Sequence, residues 1–183
     1  MVKDKKILVF TGLLASGKGT AAKYFVEKYG AKSFRFSTIM RDLLDRLYLP
    51  QSRENMSHIS TVLRQNFSED IFAKVMAEDV RRAETNIVVI DGARRLADIE
   101  YLSKIPGFKL AAIKVDMRIR YERLIQRGEN PDDKNKTWEQ FQEDHNLETE
   151  LSIPELMKQA DVVIDNNGSL EEFYKQLDKL VLR

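Results

Sequence analysis

Residues 9–20 read VFTGLLASGKGT, and the fold follows from how this stretch is understood. Upstream, Ile7–Thr11 is a short, mostly apolar run that ends in glycine, as expected of a strand buried on both faces. Downstream, from Gly19, the residues Ala22, Tyr24, Phe25 and Tyr29 recur at helical spacing, and Gly30 suits a helix C-cap. Between them, Gly12–Gly19 fits the spacing G-x-x-x-x-G-K, followed by a glycine and then Thr20. Glycines there allow a tight wrap with several backbone N–H groups turned inward. The helix N-terminus adds partial positive charge and Lys18 adds a full one, which together make a cradle for a polyphosphate. The strand–loop–helix context favours that cradle over a glycine-rich turn with a solvent-exposed lysine. Gly12, Ala15, Ser16, Gly17, Lys18, Gly19 and Thr20 are therefore the expected nucleotide-binding residues, with Lys18 also catalytic.

Working outward, four more short apolar runs appear: SFRF (33–36), NIVVID (86–91), KLAAIKVD (109–116) and ADVVID (160–165). Helical patterns separate them, over 39–48, about 54–84 with breaks near Pro50 and Ser68, 96–104 and 118–128. Ser37 or Thr38 is a candidate N-cap for the first of these. A polar stretch, 129–150, surrounds Trp138 and Phe141, and an amphipathic helix capped at Ser169 closes the chain. Strands alternating with helices predict an α/β fold: a five-stranded parallel sheet with helices on both faces and right-handed crossovers. Ligands in such sheets bind beyond the carboxyl ends of the strands, so the residues after each strand are the ones to search.

Composition narrows the class. At 183 residues, 43% hydrophobic and 32% charged, the chain is expected to form one globular domain over 1–183. A net charge of +1 gives no electrostatic pull toward nucleic acid or an anionic membrane. Zero cysteines exclude disulfides, thiolate metal sites and cysteine nucleophiles. No apolar run is long enough to span a bilayer, and the N-terminus has no signal-peptide pattern, so a cytoplasmic protein is expected.

Other candidate residues follow the strands. Asp91, at the end of the third, suits a water-mediated Mg²⁺ contact beside a phosphate loop. Arg94 and Arg95 lie just beyond, and guanidinium forks suit phosphate oxygens. Arg123 and Arg127 stand four residues apart on one helix face after the fourth strand, with Arg120 extending the stripe. Asn166, Asn167 and Gly168 form the turn after the fifth. His58 and His145 have no companions at metal-ligand or triad spacing and read as surface or packing residues. The carboxylates of 143–150 read as a solvated face, and Trp138 and Phe141 as packing anchors.

The GKGT form of the loop resembles adenylate kinase and other nucleoside monophosphate kinases, that is, a P-loop fold of three α/β/α layers. In the usual loop a Ser or Thr follows the lysine and meets Mg²⁺; here Gly19 intervenes, so a Thr20 contact is expected through water or with a phosphate. DGARR (91–95) resembles the D-G-F-P-R segment of adenylate kinase, with Arg95 at the arginine's offset and Ala93 and Arg94 replacing Phe and Pro. Deoxynucleoside monophosphate kinases of the phage type put an arginine closer to the aspartate, which matches Arg94. FRFSTIMRDLL (34–44) resembles the Ser-Thr-Gly-Asp-Leu-Leu-Arg segment that lines the monophosphate site, which implicates Ser37, Thr38 and, displaced, Arg41. Arg64 is a further candidate in the acceptor-binding helices, about 38–84. Residues 118–150 resemble a short lid whose arginines, Arg123 and Arg127, meet the transferring phosphate. VVIDNNGSLEEF (162–173) resembles the C-terminal part of dephospho-coenzyme A kinases, where the turn passes near adenine; Asn167 is the residue expected there.

The resemblance implies a kinase using ATP and Mg²⁺ on a small-molecule acceptor. A monophosphate brings an ionised oxygen and needs no base, whereas dephospho-coenzyme A presents a hydroxyl that a carboxylate would assist. Ser37 and Thr38 stand where dephospho-coenzyme A kinases carry an aspartate, so the sequence favours a nucleoside or deoxynucleoside monophosphate, with dephospho-coenzyme A kinase as the alternative. An ATP-binding switch or assembly ATPase is the alternative from another class. Oligomeric state is not readable from the sequence.

Overall fold

The computed structural model describes residues 5–127, 133–146 and 148–182. β1 (Lys6–Thr11) is the middle strand of a five-stranded parallel sheet ordered β2-β3-β1-β4-β5, with β2 at Lys32–Arg35, β3 at Ile87–Asp91, β4 at Phe108–Lys114 and β5 at Val162–Asp165. This is the expected three-layer α/β/α sandwich. Successive strand residues point to opposite faces, so Ile7 and Val9 enter one core and Leu8 and Phe10 the other. The first core is completed by α2 (Phe36–Arg46), α4 (Ile71–Arg82) and α9 (Ile153–Lys158), through Phe36, Phe72, Met76 and Leu156. The second is completed by α1 (Lys18–Tyr29) and α10 (Leu170–Asp178), through Phe25, Phe173 and Leu177. Each such side chain taken fully from water contributes about 2–3 kcal/mol, which fixes the central strands and therefore the loop that leaves β1.

Several local expectations need correction. Neither Ser37 nor Thr38 caps α2: β2 pairs with β3 only as far as Arg35, Arg35 takes the cap position, and Phe36 starts the helix because its ring is drawn into the core. The helical pattern over 54–84 divides into α3 (Arg53–Asn66) and α4, with the break at 67–70, near Ser68 as expected. The helix expected at 96–104 is a single turn, α5 (Leu96–Ile99), after which the chain runs in turns to β4. α9 was not foreseen, because IPELMK is too short for its periodicity to register.

In the region expected as a lid, α6 spans Met117–Arg127, a 3-10 turn follows at Asp133–Asn135, α7 spans Trp138–Asp144 and α8 spans Glu148–Leu151. Residues 128–132 and 147 lie outside the described residues. Phe141 is fully buried against Tyr121, Trp138 and the His145 ring, so it and Trp138 do act as packing anchors. Thr137 caps α7 with Gln140 in a capping box, and Ser169 caps α10 with Glu172 in the same way. Among the described residues no helix is long and apolar enough to cross a membrane.

Candidate active site

The loop between β1 and α1 is built around two glycines that no other residue replaces. Gly12 has φ +154°, and a Cβ there would lie 2.6 Å from Ser16 Oγ and 2.7 Å from the Ile113 carbonyl. Gly17 has φ +103°, and its Cβ would lie 2.5 Å from Asn166 Nδ2. Ala15 adopts φ +61° between them, a left-handed step that turns consecutive amides to one side. Gly17→Ala should therefore cost about 2–3 kcal/mol through strain and overlap together. A urea titration measures it, and an unchanged midpoint would contradict the geometry.

Lys18 opens α1 and folds back over the loop, its Nζ donating to the carbonyls of Gly12 at 2.7 Å and Leu13 at 3.1 Å. Burial, only partly offset by the Asp91 and Glu150 carboxylates, lowers its ammonium from 10.5 to about 8. Arg94 and Arg127 push in the same direction as burial, so both cations lie within its field.

Asp91 is 5% exposed at the end of β3. Parallel register sets it level with Phe10 of β1 and with Arg35 of β2. Arg35 consequently donates to Asp91 Oδ2 from Nε at 3.0 Å and from Nη2 at 2.7 Å. Gly19 gives this pair room, since a Cβ there would lie 3.4 Å from Arg35 Nη2. Neither Arg35 nor its pairing is visible in the sequence without the register.

The other expected residues are distributed as follows. Arg94 reaches toward the loop, its Nη1 3.5 Å from Glu150 Oε1. Arg95 is turned to its own helix, 3.8 Å from Asp98 Oδ1. Arg123 and Arg127 line a cavity of about 450 Å³ together with Ala15, Gly17, Thr20 and Asn166. Arg123 Nη1 is buried there with no hydrogen-bond partner, and burial lowers its guanidinium. Asn166, buried and donating to the Ser16 carbonyl at 2.9 Å, borders this cavity, whereas Asn167 lines a second one of about 470 Å³ and accepts from the Asp116 amide. Arg41 bonds Gln51 on the surface, and Arg64 lays its guanidinium 5.1 Å over the Phe72 ring, with Nε buried and unpartnered. Ser37 and Thr38 lie in the first turn of α2.

Three residues at the loop were not anticipated in their roles. Arg120, 3% exposed, donates from Nη1 to the Leu14 carbonyl and to His145 Nε2, and from Nε to the Val115 carbonyl. His145 Nδ1 stands 2.8 Å from the Phe141 carbonyl, so it carries the proton and leaves Nε2 to accept. Glu150 corrects the reading of 143–150 as a wholly solvated face: it is 6% exposed, and its Oε2 accepts from the Leu14 amide at 3.2 Å. Its signal was hidden inside a run of surface carboxylates.

The donor chemistry fits a nucleotide-bound Mg²⁺. Asp91 offers a hard, nearly buried carboxylate already faced by a cation, and Thr20, exposed, lies in the first turn of α1 beside the loop. Among the described residues no cluster of three or more His, Asp or Glu could hold a metal by itself. Phosphate oxygens and water would therefore complete the shell.

Comparison with known proteins gives the family and the fold. Residues 11–142 match the AAA domain family. The UPF0200 protein TK1334 of Thermococcus kodakarensis is 34% identical over 180 residues, covering 96% of this chain and 96% of that protein. Among solved structures, a gluconokinase from Sinorhizobium meliloti superposes with a TM-score of 0.57 at 14% identity, over 100% of this chain and 94% of that one. A shikimate kinase from Bacteroides thetaiotaomicron superposes with a TM-score of 0.52 at 17% identity, over 96% and 95%. Identities this low carry the fold alone, which is that of P-loop kinases.

Proposed function

The chain belongs to the UPF0200 family and carries an AAA domain over residues 11–142, and we propose that it is an ATP-dependent phosphotransferase whose acceptor is a nucleoside or deoxynucleoside monophosphate. The observation that carries this reading is the surroundings of Lys18. A lysine in a glycine loop is flanked by Asp91 and Glu150 and by the arginines Arg94 and Arg127, while Arg123 and Arg127 border the neighbouring cavity. These are the charges needed to hold a polyphosphate, and there is a recess beside it of a size that suits a nucleoside.

In this reading the loop amides and Lys18 hold the β- and γ-phosphates of ATP, and the base rests in the cavity beside Asn166. Asp91 and, through water, Thr20 would hold a nucleotide-bound Mg²⁺, which would neutralise phosphate charge. The acceptor's phosphate oxygen arrives ionised and forms the new bond to the γ-phosphorus. The bond from that phosphorus to the β–γ bridging oxygen breaks, and its electron pair leaves with ADP. Arg94, Arg123 and Arg127 stabilise the charge that develops on the transferring group. Ser37, Thr38, Arg41, Arg64 and Arg95, on the helices and loop beyond β2 and β3, belong to the acceptor side. The helices of 38–84 and the segment 118–150 then act as acceptor-binding insertion and lid of one domain, working in the cytoplasm.

ADP release from Mg·ATP, with each ribo- and deoxynucleoside monophosphate and then dephospho-coenzyme A supplied singly, tests this. One monophosphate should stimulate release and yield its diphosphate, and Arg123→Ala should lower kcat about 10²-fold. Stimulation by dephospho-coenzyme A alone would move the acceptor to a hydroxyl. Slow release indifferent to every acceptor would remove the kinase reading in favour of an ATP-driven switch.

A further inference from the structure

Two acid–base pairs flank Lys18, and they are held in different ways. Arg35–Asp91 is fixed by strand register. Glu150 instead comes from α8 and inserts its carboxylate into the loop itself, Oε2 on the Leu14 amide and Oε1 beside Arg94 Nη1 at 3.5 Å. A carboxylate this deeply buried is costly unless its lone pairs are satisfied, and here one of the donors is an amide of the phosphate cradle.

The cradle has two ends. The cavity reaches Ala15, Gly17 and Thr20, whereas Lys18 Nζ lies on the carbonyls of Gly12 and Leu13, neither of which lines that cavity. A lysine in this loop reaches the outer phosphates, so the Leu14 amide belongs to the terminal-phosphate end. Arg120 holds the Leu14 carbonyl at 3.0 Å, which fixes the peptide that follows Leu14 and restrains the residue from its other side.

We propose that Glu150 occupies the terminal-phosphate seat of the nucleotide-free protein and sets the site's discrimination between nucleoside triphosphate and diphosphate. The proposal rests on the reading of the loop as a nucleotide cradle. A terminal phosphate requires the Leu14 amide and Arg94, and Glu150 holds both. Displacing it frees the two donors together, and Ser152 Oγ, bonded to the Arg94 carbonyl at 3.0 Å, keeps the displaced segment close to the loop. A diphosphate stops short of Leu14 and leaves Glu150 where it is.

Glu150→Gln keeps the size and an acceptor for the Leu14 amide but removes the charge. In titrations without acceptor, it should bind ATP and inorganic tripolyphosphate about tenfold tighter than the wild type, with ADP changed by less than about twofold. Glu150→Ala should shift the same ratio in the same direction, and a urea midpoint for each variant checks folding. An equal gain for ATP and ADP would make this a general charge effect and overturn the proposal, as would unchanged or weaker ATP binding. Because no acceptor is present, the kinase reading fails separately: the shifted ratio without transfer to any acceptor removes that reading and leaves Glu150 in its seat.

Discussion

Lys18→Met should lower kcat/KM for acceptor-dependent ADP formation by about 10³-fold, and at pH 7 it should not lower the urea midpoint. Activity falls because, in the proposed reading, the ammonium that folds onto the Gly12 and Leu13 carbonyls is the one that would hold the outer phosphates. Stability behaves differently because the native ammonium sits at about 8, below its ordinary 10.5. Below pH 8 the lysine is charged in both states, and its burial costs about 3 kcal/mol. Between about 8 and 10.5 the unfolded chain binds the extra proton, so stability rises with pH and the cost fades. Methionine removes that cost and gives up two hydrogen bonds of about 1 kcal/mol each. The midpoint difference between Lys18→Met and wild type should therefore shrink between pH 7 and pH 9.5. A midpoint well below wild type at pH 7 would show that the bonds to Gly12 and Leu13 outweigh the burial. Affinity of the wild type for a polyphosphate should also weaken as pH rises through about 8, where the free site loses its charge.

The place of Lys18 in the loop was legible in the sequence because everything that sets it is local. Gly12, Gly17 and Lys18 stand at fixed offsets, and the strand before them and helix after them are set by residues within one turn. The Ser169 cap was legible for the same reason: Ser169 and Glu172 are three residues apart and bond each other's backbone. Arg35 was not, since its meaning depends on its being level with Asp91, fifty-six residues away, across a parallel pairing. Glu150 was not, since burial singles out one carboxylate from neighbours of the same composition, and only the course of α8 past Leu14 decides which. In both cases the missing information is a long-range neighbour, and in both the neighbour is the loop or the strand end beside it.

This division also explains how the site is supported. Leu14 is clasped on both sides, its amide by Glu150 and its carbonyl by Arg120. Arg120 is in turn held by His145, whose proton is anchored on the Phe141 carbonyl. The buried Phe141 thus positions the loop through backbone and imidazole, without touching it. α6 and α7 are therefore part of the loop's scaffold in the nucleotide-free protein, and α6 is also a wall of the neighbouring cavity.

Arg35→Ala should destabilise the nucleotide-free protein by about 1.5–3 kcal/mol, because it strips two charge-assisted bonds from a nearly buried carboxylate. The Arg35 side chain is 42% exposed, and water reaching the vacated side keeps the loss at the lower end of that range. Asp91→Asn keeps the shape and one acceptor oxygen, so its stability cost is smaller, while kcat should fall about 10²-fold if the carboxylate serves beside the outer phosphates as proposed. The double variant should be less destabilised than the sum of the singles by about 1 kcal/mol or more, since each change removes the same contact; strict additivity in urea unfolding would mean that the pair contributes nothing. Mg·ATP separates a role of Asp91 at the metal from a role in the sheet. With Arg35 gone, Asp91 lacks a guanidinium and gains most from a cation delivered with the nucleotide, so Mg·ATP should raise the midpoint of Arg35→Ala by more than it raises that of wild type. If metal-free ATP gives the same rise, the carboxylate does not face the metal, and Asp91 serves to hold β2 against β3.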